Sequence, residues 1–278
     1  MVSSSERRSL LEGEEKALPT MHDLPSENPL EPGLPDEFHG LQPQLLAETL
    51  TLTDYDPTQL FQSFDLNLYY DPEHTGWYKR PDWFLVVGTT RLYRGISSRS
   101  SYVIWDEMIA PSIVIEFLSP STESEDLGRF ASKLPGAVAK PGRPPGKFIV
   151  YEQILKVPHY IVYNEVNQQL RYFKLVNDRY QEQIVSANPP SLWIPELKIG
   201  LGVWTGAYRH MTQPWLRWCD IDGNWLLTET ETERSAKEQE RSAKEQERSA
   251  KEQERAEKEK LAAYLRSIGI DPDNLPNS

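Results

Sequence analysis

Two carboxylates stand where the sequence surrounds them with apolar residues. Glu116 lies inside the run IVIEFL, flanked by Ile113, Val114, Ile115, Phe117 and Leu118, and Asp82 follows Pro81 at the start of WFLVV. An unpartnered carboxylate in an apolar strand is costly, so Glu116 requires a cation, a hydrogen-bond network or a raised pKa. Two carboxylates converging from neighbouring strands make a hard-oxygen site suited to magnesium. The alternative is an internal ion pair, with Glu116 matched by an arginine or lysine of the fold. Both readings stand on the residues alone.

A second feature lies just downstream. Between Leu127 and Tyr151 the chain carries Arg129, Lys133, Lys140, Arg143 and Lys147 and no acidic residue. The whole chain has 30 basic and 42 acidic residues and a net charge of −12. A general nucleic-acid-binding surface is therefore excluded, and any DNA contact must be local. This stretch is the candidate phosphate patch, with Arg129 and Arg143 as its binding residues; for Lys133 and Lys140 a solvated loop serves equally well. Lys147 differs because it stands at a loop-to-helix junction, where its position is better fixed.

Other chemistries find no support. The histidines at 22, 39, 74, 159 and 210 form no i,i+3 or i,i+4 pair, so no helix-borne zinc site is visible. The single Cys219 excludes a disulfide framework and a cysteine-based zinc site. GRPPGK at 142–147 is one residue short of a phosphate loop, and its prolines lack the N–H groups such a loop uses. There is no G-x-S-x-G nucleophile elbow.

The elements that must position these residues follow from the pattern. RPDWFLVVG and APSIVIEFLSPS are short apolar runs bounded by Pro and Gly, and read as buried strands. Asp36 is a helix N-cap ahead of Leu41, Leu45 and Leu46, although Pro43 suggests that this helix begins only there. FQSFDLNLYYD alternates like a half-buried strand. The stretch from Gly128 to Gly146 is a loop, and KFIVYEQILKV resumes a helix with Phe148, Tyr151, Ile154 and Leu155 on one face until Pro158. Glu152 on that helix reads mainly as a surface residue. HYIVYN, QQLRYFKLV and DRYQEQIV predict a β-meander, SLWIPELKIGLGVW continues the β character, and DIDGNWLL holds an Asp-Gly turn.

Eight Trp and thirteen Tyr, mostly between Tyr55 and Trp225, place one core in the middle of the chain. We therefore expect an N-terminal arm over 1–34, disordered or loosely attached, a mixed α/β domain over 35–228 and a charged helical tail over 229–278. The tail repeats ERSAKEQ with a seven-residue period, but offers one alanine and no large apolar residue per unit. It reads as a solvated helix held by Glu–Lys and Glu–Arg pairs rather than a coiled-coil seam. Only LAAYLRSIGI is amphipathic enough to pack, through Leu261, Leu265 and Ile268, before Gly269 stops it. No apolar run approaches the ~20 residues of a membrane span, and no secretory h-region is present, so the expectation is a cytoplasmic protein.

The order Pro-Asp, I-E-x-L-S-P-S-T, D-L-G and K-x-x-x-Y-E-x-I-L-x-V-P-x-Y resembles the Uma-type restriction endonuclease family of the PD-(D/E)XK, restriction-endonuclease-like superfamily. The likeness runs from about Leu34 to Leu227, and many members carry a similar heptad-repeat tail. It implies a restriction-endonuclease-like core, with a central mixed sheet flanked by helices. It also implies that Asp82 and Glu116 hold Mg2+ or Mn2+ and that Lys147 completes a catalytic trio. The superfamily's usual lysine position is occupied here by Leu118, and Lys147 on the following helix takes that role. The resulting expectation is a metal-dependent endonuclease that meets DNA through the local basic loop, with a homodimer as a further possibility. The alternative is a catalytically inactive nuclease-fold protein that serves as a binding or oligomerisation module, a reading favoured by Leu118 and the overall acidity.

Overall fold

In a computed structural model of the chain, residues 36–119, 121–132 and 142–269 are described. The expected arm over 1–34, together with Lys133 and Lys140 of the basic stretch, lies outside them. The chain divides into two compact units, Met1–Asn224 and Trp225–Ser278.

The first unit is mixed α/β. Its early strands are β1 (Leu60–Ser63), β2 (Leu68–Tyr69), β3 (Tyr78–Lys79), β4 (Trp83–Val87), β5 (Tyr102–Val103) and β6 (Ile113–Phe117). The meander follows as β7 (His159–Asn164), β8 (Gln169–Val176) and β9 (Arg179–Gln183). The last strands are β10 (Ser186–Ala187), β11 (Pro190–Ile194), β12 (Ile199–Tyr208) and β13 (Met211–Cys219). Six of them form the central sheet in the order β1-β4-β6-β7-β8-β9, β10 to β13 form a four-stranded sheet, and β3-β2-β5 a small third one.

In the central sheet only β6 and β7 run parallel; the other neighbours are antiparallel. A parallel pair needs a crossover, and here residues 118–158 supply it. The crossover carries two short helices, Glu123–Leu127 and Lys147–Ile149, and so brings Lys147 to one face of the sheet. Side chains alternate along a strand. Val114 accordingly joins Phe84, Val86, Tyr160, Val162 and Phe173 in the main core with Phe148, Val150 and Tyr151 of the crossover. Phe117 points the other way, toward Phe38, with ring centroids 5.4 Å apart. Gly128 is required where the crossover turns: its φ is +49°, and a Cβ there would stand 2.7 Å from Cγ of Phe148.

Several expectations need correction. The first helix spans Glu37–Thr49, capped by Asp36, with Pro43 inside it rather than at its start. Gln42, fully buried, ties this helix to the sheet. Its Nε2 donates to the Leu216 carbonyl at 2.8 Å and its Oε1 accepts from the Leu216 N–H at 2.7 Å. β13 is an edge strand, and the helix covers that edge with a side-chain amide standing in for the next strand. The run FQSFDLNLYYD is not one strand: it breaks after Ser63 at Asp65, whose φ is 51°, and resumes as β2 in another sheet.

The second unit is dominated by the helix Glu229–Ser267, opened by a capping box between Thr228 and Glu231. It buries none of its residues, and i,i+4 pairs such as Glu240–Lys244 and Glu247–Lys251, each at 2.6 Å, line its surface. Of the three residues expected to pack in its last turns, Leu261 and Ile268 are 59% and 53% exposed, and Leu265 is half-buried. No helix among the described residues is long and apolar enough to cross a membrane.

Replacing Gln42 by Ala leaves two buried backbone groups of Leu216 without partners. It should lower stability by roughly 2–4 kcal/mol. Urea denaturation should show a lower midpoint with an unchanged slope.

Candidate active site

Strand pairing sets Asp82 against Glu116. β4 and β6 are antiparallel with Trp83 opposite Ile115, so the next position places Asp82 opposite Glu116. The Phe117 N–H donates to Asp82 Oδ2 at 2.6 Å, and the Asp82 N–H approaches Glu116 Oε2 at 3.3 Å. Glu116 is wholly buried, whereas Asp82 is half-buried.

The crossover helix supplies the partners. Lys147 Nζ donates to Glu116 Oε2 at 2.8 Å, and the Tyr151 hydroxyl donates to Glu116 Oε1 at 2.7 Å. Spacing of four residues puts Lys147 and Tyr151 on one face, one turn apart. From Val150 to Ile154 the helix widens into a π-turn, with Leu155 N–H donating to Val150 O at 2.9 Å. The wider turn rotates Ile154 out to 44% exposure, away from the buried face expected for it, and brings Glu152 in.

Glu152 is therefore not a surface residue. It is 1% exposed, accepts the Tyr180 N–H at 2.6 Å and pairs with Arg129 at 2.7 Å. Arg129 also donates to the Tyr180 carbonyl at 2.8 Å and lies 5.0 Å from the Phe148 ring centroid. The guanidinium expected to meet phosphate thus anchors the helix that carries Lys147. Arg143 is exposed, four residues before Lys147.

The reading from sequence missed Asp126. It belongs to the D-L-G motif, within the acidic stretch ESEDL, whose charges carry no signal of burial. The structure buries it to 1% exposure beside the cluster, with Lys147 Nζ 3.5 Å from Oδ1. Neither carboxylate oxygen of Asp126 makes a well-formed hydrogen bond, the Thr122 hydroxyl giving only a weak one. Tyr151 was legible only as a core aromatic; its i+4 spacing from Lys147 was the available signal.

The electrostatics follow from burial. Loss of solvation pushes Glu116 up to about 7, against the opposing charge of Lys147 and with the help of Asp82. Asp126 is pushed up to about 7 by the same burial, again with Lys147 opposing and Glu116 adding to it. Asp82 is likewise raised, by burial, with Lys147 and the Phe117 N–H opposing. Burial alone would lower Lys147, but Glu116, Asp126 and Asp82 hold it well above the usual lysine range. Burial and Glu116 raise Tyr151, which stays a phenol and a donor. Beside Asp82, His39 bonds Asp36 through Nδ1 at 2.7 Å. Burial disfavours the charged ring, but Asp36 and the charge of Asp82 lift it to about 9.

Among the described residues, no three His, Cys, Asp or Glu side chains form a ready-made metal cluster. Two carboxylates on adjacent strands nevertheless suit magnesium, which keeps much of its water and commonly takes one or two protein carboxylates. The gathering of Asp82, Glu116 and Asp126 about the Lys147 ammonium fits a site that takes an additional positive charge.

A mixed α/β unit with paired strand carboxylates and an adjacent lysine is an arrangement consistent with a restriction-endonuclease-like nuclease. The Uma2 family, described as "Putative restriction endonuclease", matches residues 16–206, and the chain belongs to that family. The match begins earlier than Leu34, within the expected arm. Comparison with curated proteins returned no match.

The raised carboxyl of Asp126 has a consequence for stability. A carboxyl that holds its proton more tightly folded than unfolded contributes stability at low pH, which is lost as pH rises through about 7. Asp126→Asn removes that loss. Urea denaturation should show the variant gaining on the parent from pH 5 to pH 8; a constant gap would contradict the assignment.

Proposed function

We propose that the chain is a metal-dependent endonuclease that hydrolyses DNA phosphodiester bonds. The observation that carries this reading is the convergence of Asp82, Glu116 and Lys147 at the ends of β4, β6 and the crossover helix. Asp82 and Glu116 are the residues that would hold Mg2+ or Mn2+. Bound there, such an ion supplies Lewis-acid polarisation of the scissile phosphate and a bound water of lowered pKa.

The remaining chemistry belongs to the chain. Lys147 offers an ammonium, kept charged by three carboxylates, to the phosphate oxygens on which charge develops. Tyr151 fixes the orientation of Glu116 through Oε1 and leaves Oε2 toward Asp82. Arg129 and Glu152 lock the far side of the helix, so the Lys147 position is set before substrate arrives. Arg143, exposed just ahead of Lys147, is the phosphate contact in this reading, and DNA is met at this local basic segment while the acidic remainder stays clear of it.

Supercoiled plasmid and linear DNA incubated with Mg2+ or Mn2+ test the proposal. Cleavage should fall at least about 100-fold in Glu116→Ala and in Lys147→Ala. Chelation of the metal should abolish it. Cleavage by Glu116→Ala at the parental rate would refute the assignment.

A further inference from the structure

We propose that Asp126 is a positioning residue for Lys147: it receives the ammonium when a divalent cation takes Glu116. The inference rests on the metal-dependent reading above and deepens it. Lys147 Nζ now bonds Glu116 Oε2, the oxygen that also faces the Asp82 backbone. That oxygen lies on the side where Asp82 and Glu116 could share an ion. Two cations on one buried carboxylate oxygen repel each other. An arriving ion therefore pushes Lys147 off Glu116, and a charged ammonium in a buried site needs another acceptor.

Asp126 is that acceptor. Oδ1 is 3.5 Å from Lys147 Nζ, so a movement of under about 1 Å completes a normal ionic hydrogen bond. Buried carboxylate oxygens are ordinarily satisfied, yet neither oxygen of Asp126 makes a well-formed hydrogen bond; the Thr122 hydroxyl gives only a weak one. Its main chain, by contrast, is pinned. The Asp126 N–H donates to Thr122 O at 2.9 Å, and the Tyr160 hydroxyl donates to the Asp126 carbonyl at 2.8 Å. Next to it, Glu125 bonds Lys79 at 2.6 Å. The carboxylate is held in place with its hydrogen-bonding capacity largely unspent. Glu116, Asp126 and Asp82 set three negative charges around the Lys147 ammonium. With Lys147 on Asp126, Asp82 and Glu116 are left free to act together on a divalent ion.

Mn2+ titrations by calorimetry at pH 7.5 on the full chain test this, using the wild type, Asp126→Asn, Lys147→Met and the double variant. Asp126→Asn should weaken Mn2+ binding by about tenfold or more while Lys147 is present, because the ammonium then stays on Glu116. In the Lys147→Met background the same substitution should change affinity by less than about twofold. Asp126→Ser serves in place of Asp126→Asn if circular dichroism shows the latter misfolded. An equal loss in both backgrounds would make Asp126 a direct metal ligand, and no loss in either would leave it structural; each result overturns the proposal. If none of the four proteins binds Mn2+, the nuclease reading falls, and this inference with it.

Discussion

The whole arrangement depends on keeping Glu116 ionisable inside the sheet. A carboxylate on a central strand, with apolar neighbours in sequence and in space, is tolerated only if its charge is met. The chain meets it from one crossover: Lys147 takes one oxygen and Tyr151 the other. The parallel pairing of β6 and β7 requires that crossover, and the crossover delivers the partners. Topology and electrostatics are here the same requirement.

The surrounding structure holds that short helix in register. Phe148, Val150 and Tyr151 sink into the core, Gly128 lets Phe148 approach the turn, and the buried Glu152, paired with the more exposed Arg129, ties the opposite side to Tyr180. A half-exposed ion pair contributes little net stability, but removing Arg129 would leave the Glu152 carboxylate buried without its cation. The Arg129–Glu152 pair is thus better understood as a lock on helix position than as a source of folding energy. Against this frame Lys147 reaches two carboxylates, at 2.8 and 3.5 Å.

Much of this was legible in the residues, for identifiable reasons. β4 and β6 are short apolar runs closed by Pro or Gly, and Glu116 stood out as the polar residue that such a run does not tolerate. Of the two open readings of Glu116, the internal ion pair is what the structure shows, and the partner is Lys147, the lysine the family resemblance had placed at the site. The meander from His159 to Gln183 followed from its turns. What stayed hidden depended on contacts distant in sequence. Asp126 carries no signal of burial within ESEDL and is buried only because the crossover folds it against β6 and β7. Glu152 looked exposed because an ideal helix would turn it outward, and the π-turn does not. Pro43 argued for a late helix start, while the edge of β13, joined through Gln42, holds the whole helix in place. The last turns of the tail helix have an apolar pattern, yet Leu261 and Ile268 are exposed.

The central claim is that Glu116 exchanges its lysine for a metal ion shared with Asp82. Anomalous diffraction from crystals grown with and without Mn2+ tests it most directly. The account requires an anomalous peak between the Asp82 and Glu116 carboxylates, with Lys147 Nζ shifted onto Asp126. Crystals with saturating Mn2+ that show no peak there, and Lys147 still bonded to Glu116, would contradict it.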